Sequence, residues 1–283
     1  MTSIAKSSPY VLEMKTVQIA PMRTLMTALK DILLETNIVF SQDYIDANGN
    51  VVPAGIRIIN MDKSHTILAH LFLDALKFEH FYCKYPKIII GVNMFHLFKL
   101  INTIDNDDTL TIYIEEKDYS DGIVEYLGLK FENGDIKQMK IQKLKLIEPD
   151  EEELDMPSVK FSSIINLPST DFQKIIRDLS NISERLEIKS IGSELVFSCV
   201  GPFATAQINR TESDGVTEFV KKTDTTEVIQ GEFSLKNLGY FIKCTNLCSN
   251  IEMFLENDLP LVVKYSVASL GEIKLCLAPL PAN

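Results

Sequence analysis

Cysteine and histidine are the side chains here best suited to bind metal or act as nucleophiles, and their spacing indicates neither role. The chain has five cysteines and four histidines. Cys244 and Cys248 are close in sequence, but no further cysteine or histidine stands near them at the spacing of a zinc site. His65 and His70 lack the i, i+4 spacing that places two ligands on one helix face. An odd cysteine count in a long chain favours reduced structural thiols and an intracellular, reducing compartment.

Motifs for nucleotide or acyl-transfer chemistry are also absent from the sequence. It contains no glycine-rich phosphate loop, no dinucleotide fingerprint and no nucleophile elbow. Asp105, Asp107 and Asp108 lack the glycine and the twelfth-position glutamate of a calcium loop, which favours an ordinary acidic turn. We therefore expect no cofactor, no metal and no enzyme, although a site assembled from distant residues stays open because catalytic triads are built by the fold.

Composition and charge describe a folded, acidic protein. The chain has 283 residues, 46% hydrophobic residues and a net charge of −11. No apolar run approaches the roughly 18 to 20 residues of a membrane span, and the N-terminus does not read as a signal peptide, so no membrane is expected as a partner. Net acidity also argues against nucleic acid, which attracts lysine and arginine, unless the basic residues are segregated on one surface.

Hydrophobic periodicity predicts four helices among many short strands. The helices are expected at about 20–36, 93–104, 169–183 and 234–247, the third beginning with the capping residues Ser169 and Thr170. Alternating residues predict strands at 109–114, 139–146, 193–199 and 252–255, and a closing hairpin over 261–277. This mixture predicts an α+β fold with helices on one face of antiparallel sheets.

An acidic segment near the middle of the chain predicts a two-domain organisation. Residues 148–157 carry six carboxylates and two prolines without a basic residue, which is typical of a solvated linker. We predict an N-terminal domain at 1–145, a connector at 146–162 and a C-terminal domain at 163–283. The similar order of elements in both halves favours internal duplication.

Several segments, in order along the chain, resemble the proliferating cell nuclear antigen (PCNA) family of DNA sliding clamps. They are NMDKSHTIL at 60–68, DFQKIIRDLSNI at 171–182, PLVVKY at 260–265 and LAP at 277–279. The resemblance spans nearly the whole chain. It implies the DNA-clamp fold, with two similar domains, sheets outside and helices lining a closed ring of three subunits.

Basic residues on the four expected helices are the DNA-binding candidates that the resemblance implies. These helices hold seven basic and four acidic residues, a net of +3, and leave −14 on the rest of the chain. Diffuse contacts to phosphates attract DNA without reading bases, which suits a sequence-independent ring around a duplex. The alternative is that they are ordinary solvent faces of amphipathic helices. The candidates are Arg23, Lys30, Lys99, Lys174, Arg177, Lys236 and Lys243.

The resemblance also implies an apolar pocket for short partner peptides with aromatic plugs. Such peptides belong to DNA polymerases, clamp loaders, ligases and nucleases, and aromatic anchors concentrate binding energy in few residues. Ordinary core or strand-end roles are the alternative for these positions. The matching positions are Met61, His65, Leu68, Leu154, Met156, Pro157, Phe161, Pro260, Cys276, Ala278 and Pro279.

Segments 137–147 and 203–210 match the edge strands that pair between subunits in the family. Edge strands with open hydrogen-bonding groups invite such head-to-tail pairing, and Lys140, Lys143 and Lys145 are expected to meet acids of the next subunit. A subunit of a heteromeric checkpoint-type clamp, or a non-ring polymerase accessory factor, is the alternative to a homotrimer. The composition suggests a large DNA virus, with localisation in the nucleus or in a cytoplasmic viral factory.

Overall fold

A computed structural model describes residues 8–45, 49, 51–150, 154 and 159–281. The elements of the first half are β1 (Tyr10–Thr16), α1 (Ile19–Ile32), β2 (Glu35–Ser41), β3 (Tyr44–Ile45), β4 (Val51–Val52), β5 (Gly55–Met61), β6 (Ile67–Asp74), β7 (His80–Cys83), β8 (Lys87–Asn93), α2 (Met94–Ile101), β9 (Thr109–Glu115), β10 (Tyr119–Ser120), β11 (Ile123–Val124), β12 (Tyr126–Asn133) and β13 (Gln138–Lys145).

The second half follows a similar alternation. Its elements are β14 (Ser163–Pro168), α3 (Ser169–Ser180), β15 (Arg185–Ile191), β16 (Glu194–Val200), β17 (Thr205–Thr211), β18 (Glu218–Lys221), β19 (Val228–Ser234), α4 (Leu235–Phe241), β20 (Asn250–Leu255), β21 (Leu261–Val267) and β22 (Gly271–Leu277). Short 3-10 helices occupy Ala75–Lys77, Glu116–Asp118 and Ile242–Leu247. Helices are few and the strands pair antiparallel, for example β1 with β9 and β21 with β22, which confirms the α+β prediction.

The described chain forms two compact units. The first is built from residues within 1–26, 34–58 and 72–153. Its five-stranded antiparallel sheet has the order β13-β12-β9-β1-β7, and β2 lies between β5 and β8. The central strand β9 is buried on both faces along most of its length. Helix α2 begins where the Asn93 side chain accepts a hydrogen bond from the His96 backbone at 3.1 Å, an N-cap that satisfies one open helix donor.

The second unit is built from residues within 27–33, 59–71 and 154–283. Its strands run β18-β14-β20-β21-β22, followed by β6, and a four-stranded sheet has the order β17-β16-β15-β19. Helix α3 contacts both α4 and the 3-10 helix Ile242–Leu247. The α3 side chains spaced at three and four residues, Phe172, Ile175, Ile176 and Leu179, are all buried, as the helical periodicity predicts.

The helices differ in local details from the sequence predictions, and α2 and α3 each end three residues earlier than expected, at Ile101 and Ser180. Helix α1 ends at Ile32 rather than near 36, because Glu35 and Thr36 begin β2 and pair with Asn93 and Val92 of β8. Ser169 does not cap α3: its hydroxyl donates to the Ser249 carbonyl at 2.8 Å. The fourth helix changes to 3-10 geometry at Ile242.

The start of the predicted acidic connector is tied to the first unit. Asn37 of β2 donates through its amide to the Asp150 carbonyl at 2.7 Å and accepts from the Asp150 backbone N–H at 2.9 Å. The Ile147 backbone N–H donates to Gly91 at 3.0 Å. Residues 151–153 and 155–158 of the connector lie outside the described residues, so the predicted domain boundaries stay predictions.

Candidate functional site

A cavity of about 260 Å³ lies within the second unit and has an almost entirely apolar lining. Its walls come from the end of β5, the turn into β6, the segment before β14, and strands β21 and β22. Apolar side chains of a ligand would bind there favourably, because binding removes apolar surface of both the ligand and the cavity from water. The lining residues are Met61, His65, Thr66, Leu68, Val159, Phe161, Leu259, Pro260, Val262, Cys276 and Ala278.

One wall of the cavity is a turn organised by Asp62. Its Oδ1 accepts hydrogen bonds from the backbone N–H groups of Thr66 at 2.8 Å and Ile67 at 2.7 Å. His65 stands in this turn with φ of 54°, a left-handed conformation that the surrounding hydrogen bonds hold in place. Partial burial acts to raise the pKa of Asp62, but hydrogen bonds from Ser64, Ile67 and Thr66 bring it below its usual value. The turn therefore keeps its anchoring carboxylate ionised.

A second wall of the cavity is set by the register of β21 and β22. Val262 and Cys276 are directly opposed in this antiparallel pair, so their side chains share a face of the sheet. Beside them, the ring of Phe161 lies against Phe254 with centroids 5.5 Å apart and a tilt of 60°. The Ala278 N–H donates to the Thr66 carbonyl at 2.9 Å, which ties the end of this wall to the Asp62 turn.

The chemistry of the pocket is that of a binding surface. Burial raises the pKa of Cys276 to about 11, so its thiol stays protonated at neutral pH and contributes apolar surface rather than a nucleophile. Thr66 Oγ1 accepts a 3.3 Å hydrogen bond from the Asn237 amide.

The structure brings together seven of the eleven residues predicted for the pocket. They are Met61, His65, Leu68, Phe161, Pro260, Cys276 and Ala278. Leu154 and Pro279 are not among the lining residues, and Met156 and Pro157 lie outside the described residues. Sequence reasoning missed Thr66, Val159, Leu259 and Val262. Of these four, Val262 could have been predicted. It lies two positions after Pro260, and side chains two positions apart on a strand point to the same face of the sheet.

The predicted basic residues fall on the observed helices. Arg23 and Lys30 lie on α1, Lys99 on α2, Lys174 and Arg177 on α3, Lys236 on α4, and Lys243 on the following 3-10 helix. Arg23 and Lys30 are half-buried and the other five are exposed. Because Glu35 belongs to β2, these segments hold seven basic and three acidic residues, a net charge of +4 rather than the predicted +3.

Three of these cations have polar side-chain partners within the described residues. Arg23 donates to the Asn106 side chain. Lys30 and Lys243 both pair with the carboxylate of Asp31, which they share. Among the exposed remainder, the Lys99 ammonium lies 4.4 Å from the centroid of the Phe95 ring.

Both segments predicted for subunit pairing contain an edge strand. Strand β13 is the last strand of the five-stranded sheet and β17 is the last of the four-stranded sheet. Exposed apolar side chains accompany them: Met139 and Ile141 lie on β13, and Phe203 just precedes β17. Within its own chain, Lys143 pairs with Glu115 at 2.5 Å and Asp118 at 2.8 Å. Lys140 likewise donates to Thr103 at 2.7 Å.

Clusters of metal-ligating side chains and membrane-spanning helices are both absent from the described residues. There, no group of three or more His, Cys, Asp or Glu side chains is arranged to hold a metal ion. Searched over the same residues, no helix is long and apolar enough to cross a membrane.

Family models match both halves of the chain. The model of the proliferating cell nuclear antigen N-terminal domain matches residues 11–153, and that of the C-terminal domain matches residues 155–280. The chain belongs to the PCNA family. The resemblance seen in the sequence is thereby confirmed, and with it the two-domain α+β fold.

Two curated viral proteins are similar to this PCNA-family chain. "Probable DNA polymerase sliding clamp 1" of Paramecium bursaria Chlorella virus 1 is 31% identical over 270 residues, covering 94% of this chain and 95% of that protein. "Probable DNA polymerase sliding clamp" of Acanthamoeba polyphaga mimivirus is 34% identical over 226 residues, covering 80% of this chain. The chain spans about half of the mimivirus protein, 47% of its length.

Proposed function

We propose that this protein is a DNA sliding clamp: three copies close into a ring around duplex DNA and tether a DNA polymerase and other replication proteins. It acts as a scaffold rather than an enzyme. The observation that carries the proposal is the pair of terminal strands β13 and β17, each at the edge of its own sheet in a chain of the PCNA family. Two different edges on one chain favour head-to-tail pairing, which closes when the rotation is one third of a turn.

The distribution of charge supports the DNA part of the proposal. The helical segments hold seven basic residues against three acidic ones, in a chain whose net charge is −11. Phosphate attraction from such a surface is independent of base sequence, so the protein can slide. The acidic remainder disfavours binding to DNA from outside the ring, which makes placement around the duplex the productive mode.

The cavity beside the Asp62 turn is the proposed partner site. Its lining is apolar, and an aromatic side chain bound there would have most of its surface removed from water. Peptides with aliphatic and aromatic plugs, carried by a polymerase, clamp loader, ligase or nuclease, fit this chemistry.

Mass in solution and DNA synthesis test the proposal. We expect a species of about three times the 32.0 kDa chain. Replacing Lys174, Arg177 and Lys236 by alanine should leave that mass unchanged and reduce DNA synthesis by the cognate polymerase and clamp loader. A chain that stays monomeric when concentrated would contradict the homotrimer and favour a heteromeric clamp or a non-ring factor. Unchanged synthesis would remove the helices from the DNA contact.

A further inference from the structure

Asp31 on α1 makes an unusual connection among the basic residues of the helices. Its Oδ1 lies 2.7 Å from Lys30 Nζ, and its Oδ2 lies 2.5 Å from Lys243 Nζ. Residues 27–33 and 243 belong to the same unit. Each carboxylate oxygen therefore holds one of the two ammonium groups that the DNA contact would use.

The environment keeps this carboxylate charged and in place. The Asp31 side chain is 25% exposed and Lys30 18%, so water screens the pairs less than on an open surface. Partial burial acts to raise the pKa of Asp31, but hydrogen bonds and charge attraction from Lys243 and Lys30 outweigh it and leave the pKa below its usual value. Lys243 is further restrained by the Tyr240 ring, whose centroid lies 5.3 Å from its Nζ.

Three other basic residues on these helices are not restrained by any acidic side chain that the structure describes. In the described part of the chain, no ion pair forms with Lys174, Arg177 or Lys236, and all three are exposed. The helices thus present two kinds of positive charge. A DNA phosphate can approach Lys174, Arg177 and Lys236 directly. At Lys30 and Lys243 it must compete with the Asp31 carboxylate for the ammonium groups.

We propose that Asp31 is a positioning residue that weakens the grip of the clamp on DNA by holding Lys30 and Lys243 in ion pairs. The inference rests on the proposed function and adds a regulator to it. A ring that stays on DNA by closure does not need tight phosphate contacts, and strong contacts would slow its movement. One carboxylate shared by two ammonium groups leaves a net charge of +1 there, which attracts phosphate diffusely.

Binding of a short labelled duplex by the full-length trimer tests the role of Asp31. Asp31→Asn removes the charge and keeps a side chain of the same shape. Releasing the two cations should tighten binding about threefold or more and steepen the dependence of log K on log salt by about 0.9, the value for one further phosphate contact. Asp178→Asn is the matched control, because it makes the same charge change at an exposed α3 acid that forms no ion pair with any described residue.

Combined substitutions test where the gain in duplex affinity of Asp31→Asn comes from. The gain from Asp31→Asn should largely disappear when Lys30 and Lys243 are both alanine, because no held cations remain to release. Equal effects of Asp31→Asn and Asp178→Asn would reduce Asp31 to a contribution to net charge and overturn the proposal. A gain that persists in the Lys30→Ala, Lys243→Ala background would overturn it as well.

A second comparison does not depend on how well Asp31→Asn folds. Lys243→Ala should weaken duplex binding less than Lys174→Ala, since only the first cation is already partly neutralised; equal losses would contradict the proposal. Failure of the proposed function looks different: neither Lys174→Ala nor Arg177→Ala would then affect duplex binding. If these two weaken binding while Asp31→Asn matches its control, only the inference about Asp31 fails.

Discussion

Asp62 and Ile67 are joined by a reciprocal pair of hydrogen bonds across the turn between β5 and β6. The Asp62 N–H donates to the Ile67 carbonyl at 2.8 Å, and the Ile67 N–H donates to the Asp62 carboxylate at 2.7 Å. The turn enclosed by this pair carries His65 and Thr66 into the wall of the apolar pocket. The shape of the pocket thus depends on a side chain that is not among its lining residues.

Removing the Asp62 carboxylate should loosen this turn. Asp62→Ala leaves the Thr66 and Ile67 N–H groups without their acceptor, and we expect a loss of about 1.5–3 kcal/mol in unfolding free energy, as for hydrogen bonds to charged groups. Urea denaturation measures it. Asp62→Asn keeps an acceptor oxygen and should retain most of the stability. An alanine variant as stable as the wild type would show that the turn holds without the carboxylate.

Partner peptides should depend on Met61 more than on Leu154. Met61 lines the pocket and Leu154 does not, so Met61→Ala removes apolar contact and should weaken a peptide with aromatic plugs by about 1–2 kcal/mol, roughly five- to thirtyfold. Isothermal titration calorimetry with wild type, Met61→Ala and Leu154→Ala makes the comparison. Equal losses of peptide affinity in the two variants would mean that the peptide does not bind in the apolar cavity lined by Met61.

A charge placed on β13 should prevent ring assembly. Ile141 is 54% exposed on this terminal strand, and Ile141→Asp would bury an unpaired carboxylate at the proposed seam, which is costly. Light scattering after size exclusion should then detect monomers. Ile123→Asp, at a 71% exposed isoleucine on β11, is the control and should remain trimeric. Intact trimers of the Ile141 variant would move the seam away from β13.

Acid should destabilise the first unit partly through Glu115. Ion pairs with Lys117 and Lys143 lower the pKa of Glu115 from 4.5 to about 2. Because the folded-state pKa lies below the unfolded one, the pairs contribute stability above about pH 4.5, and this contribution is lost as the pH falls towards 2.

Glu115→Gln should therefore flatten the fall in stability over this acid range while lowering stability at neutral pH. Thermal melting at a series of pH values measures both effects. Glu227→Gln, at an exposed acid of the second unit, serves as the control. An acid profile unchanged by Glu115→Gln would mean that the lysine pairs are broken in solution.

Local patterns in the sequence determined the helices, whereas the candidate pocket residues came from the resemblance to the PCNA family. The spacing of Phe172, Ile176 and Leu179 specifies one buried face of α3, since helical periodicity is complete within a few turns. The boundary of α1 was harder to predict, because residues 35 and 36 continue an apolar-periodic segment but pair with β8 in the structure. Strand pairing depends on distant partners that a local window does not contain.

The sequence by itself determined the α+β class, the PCNA family and which residue types lie on each element. Only the tertiary structure decided which distant residues meet. Val262 lies opposite Cys276 in the pairing of β21 with β22, so both side chains are on the face of the sheet that lines the cavity. Asp31 and Lys243 lie 212 positions apart, yet they form an ion pair. Such contacts arise when long loops close and elements pack, and no local spacing encodes their geometry.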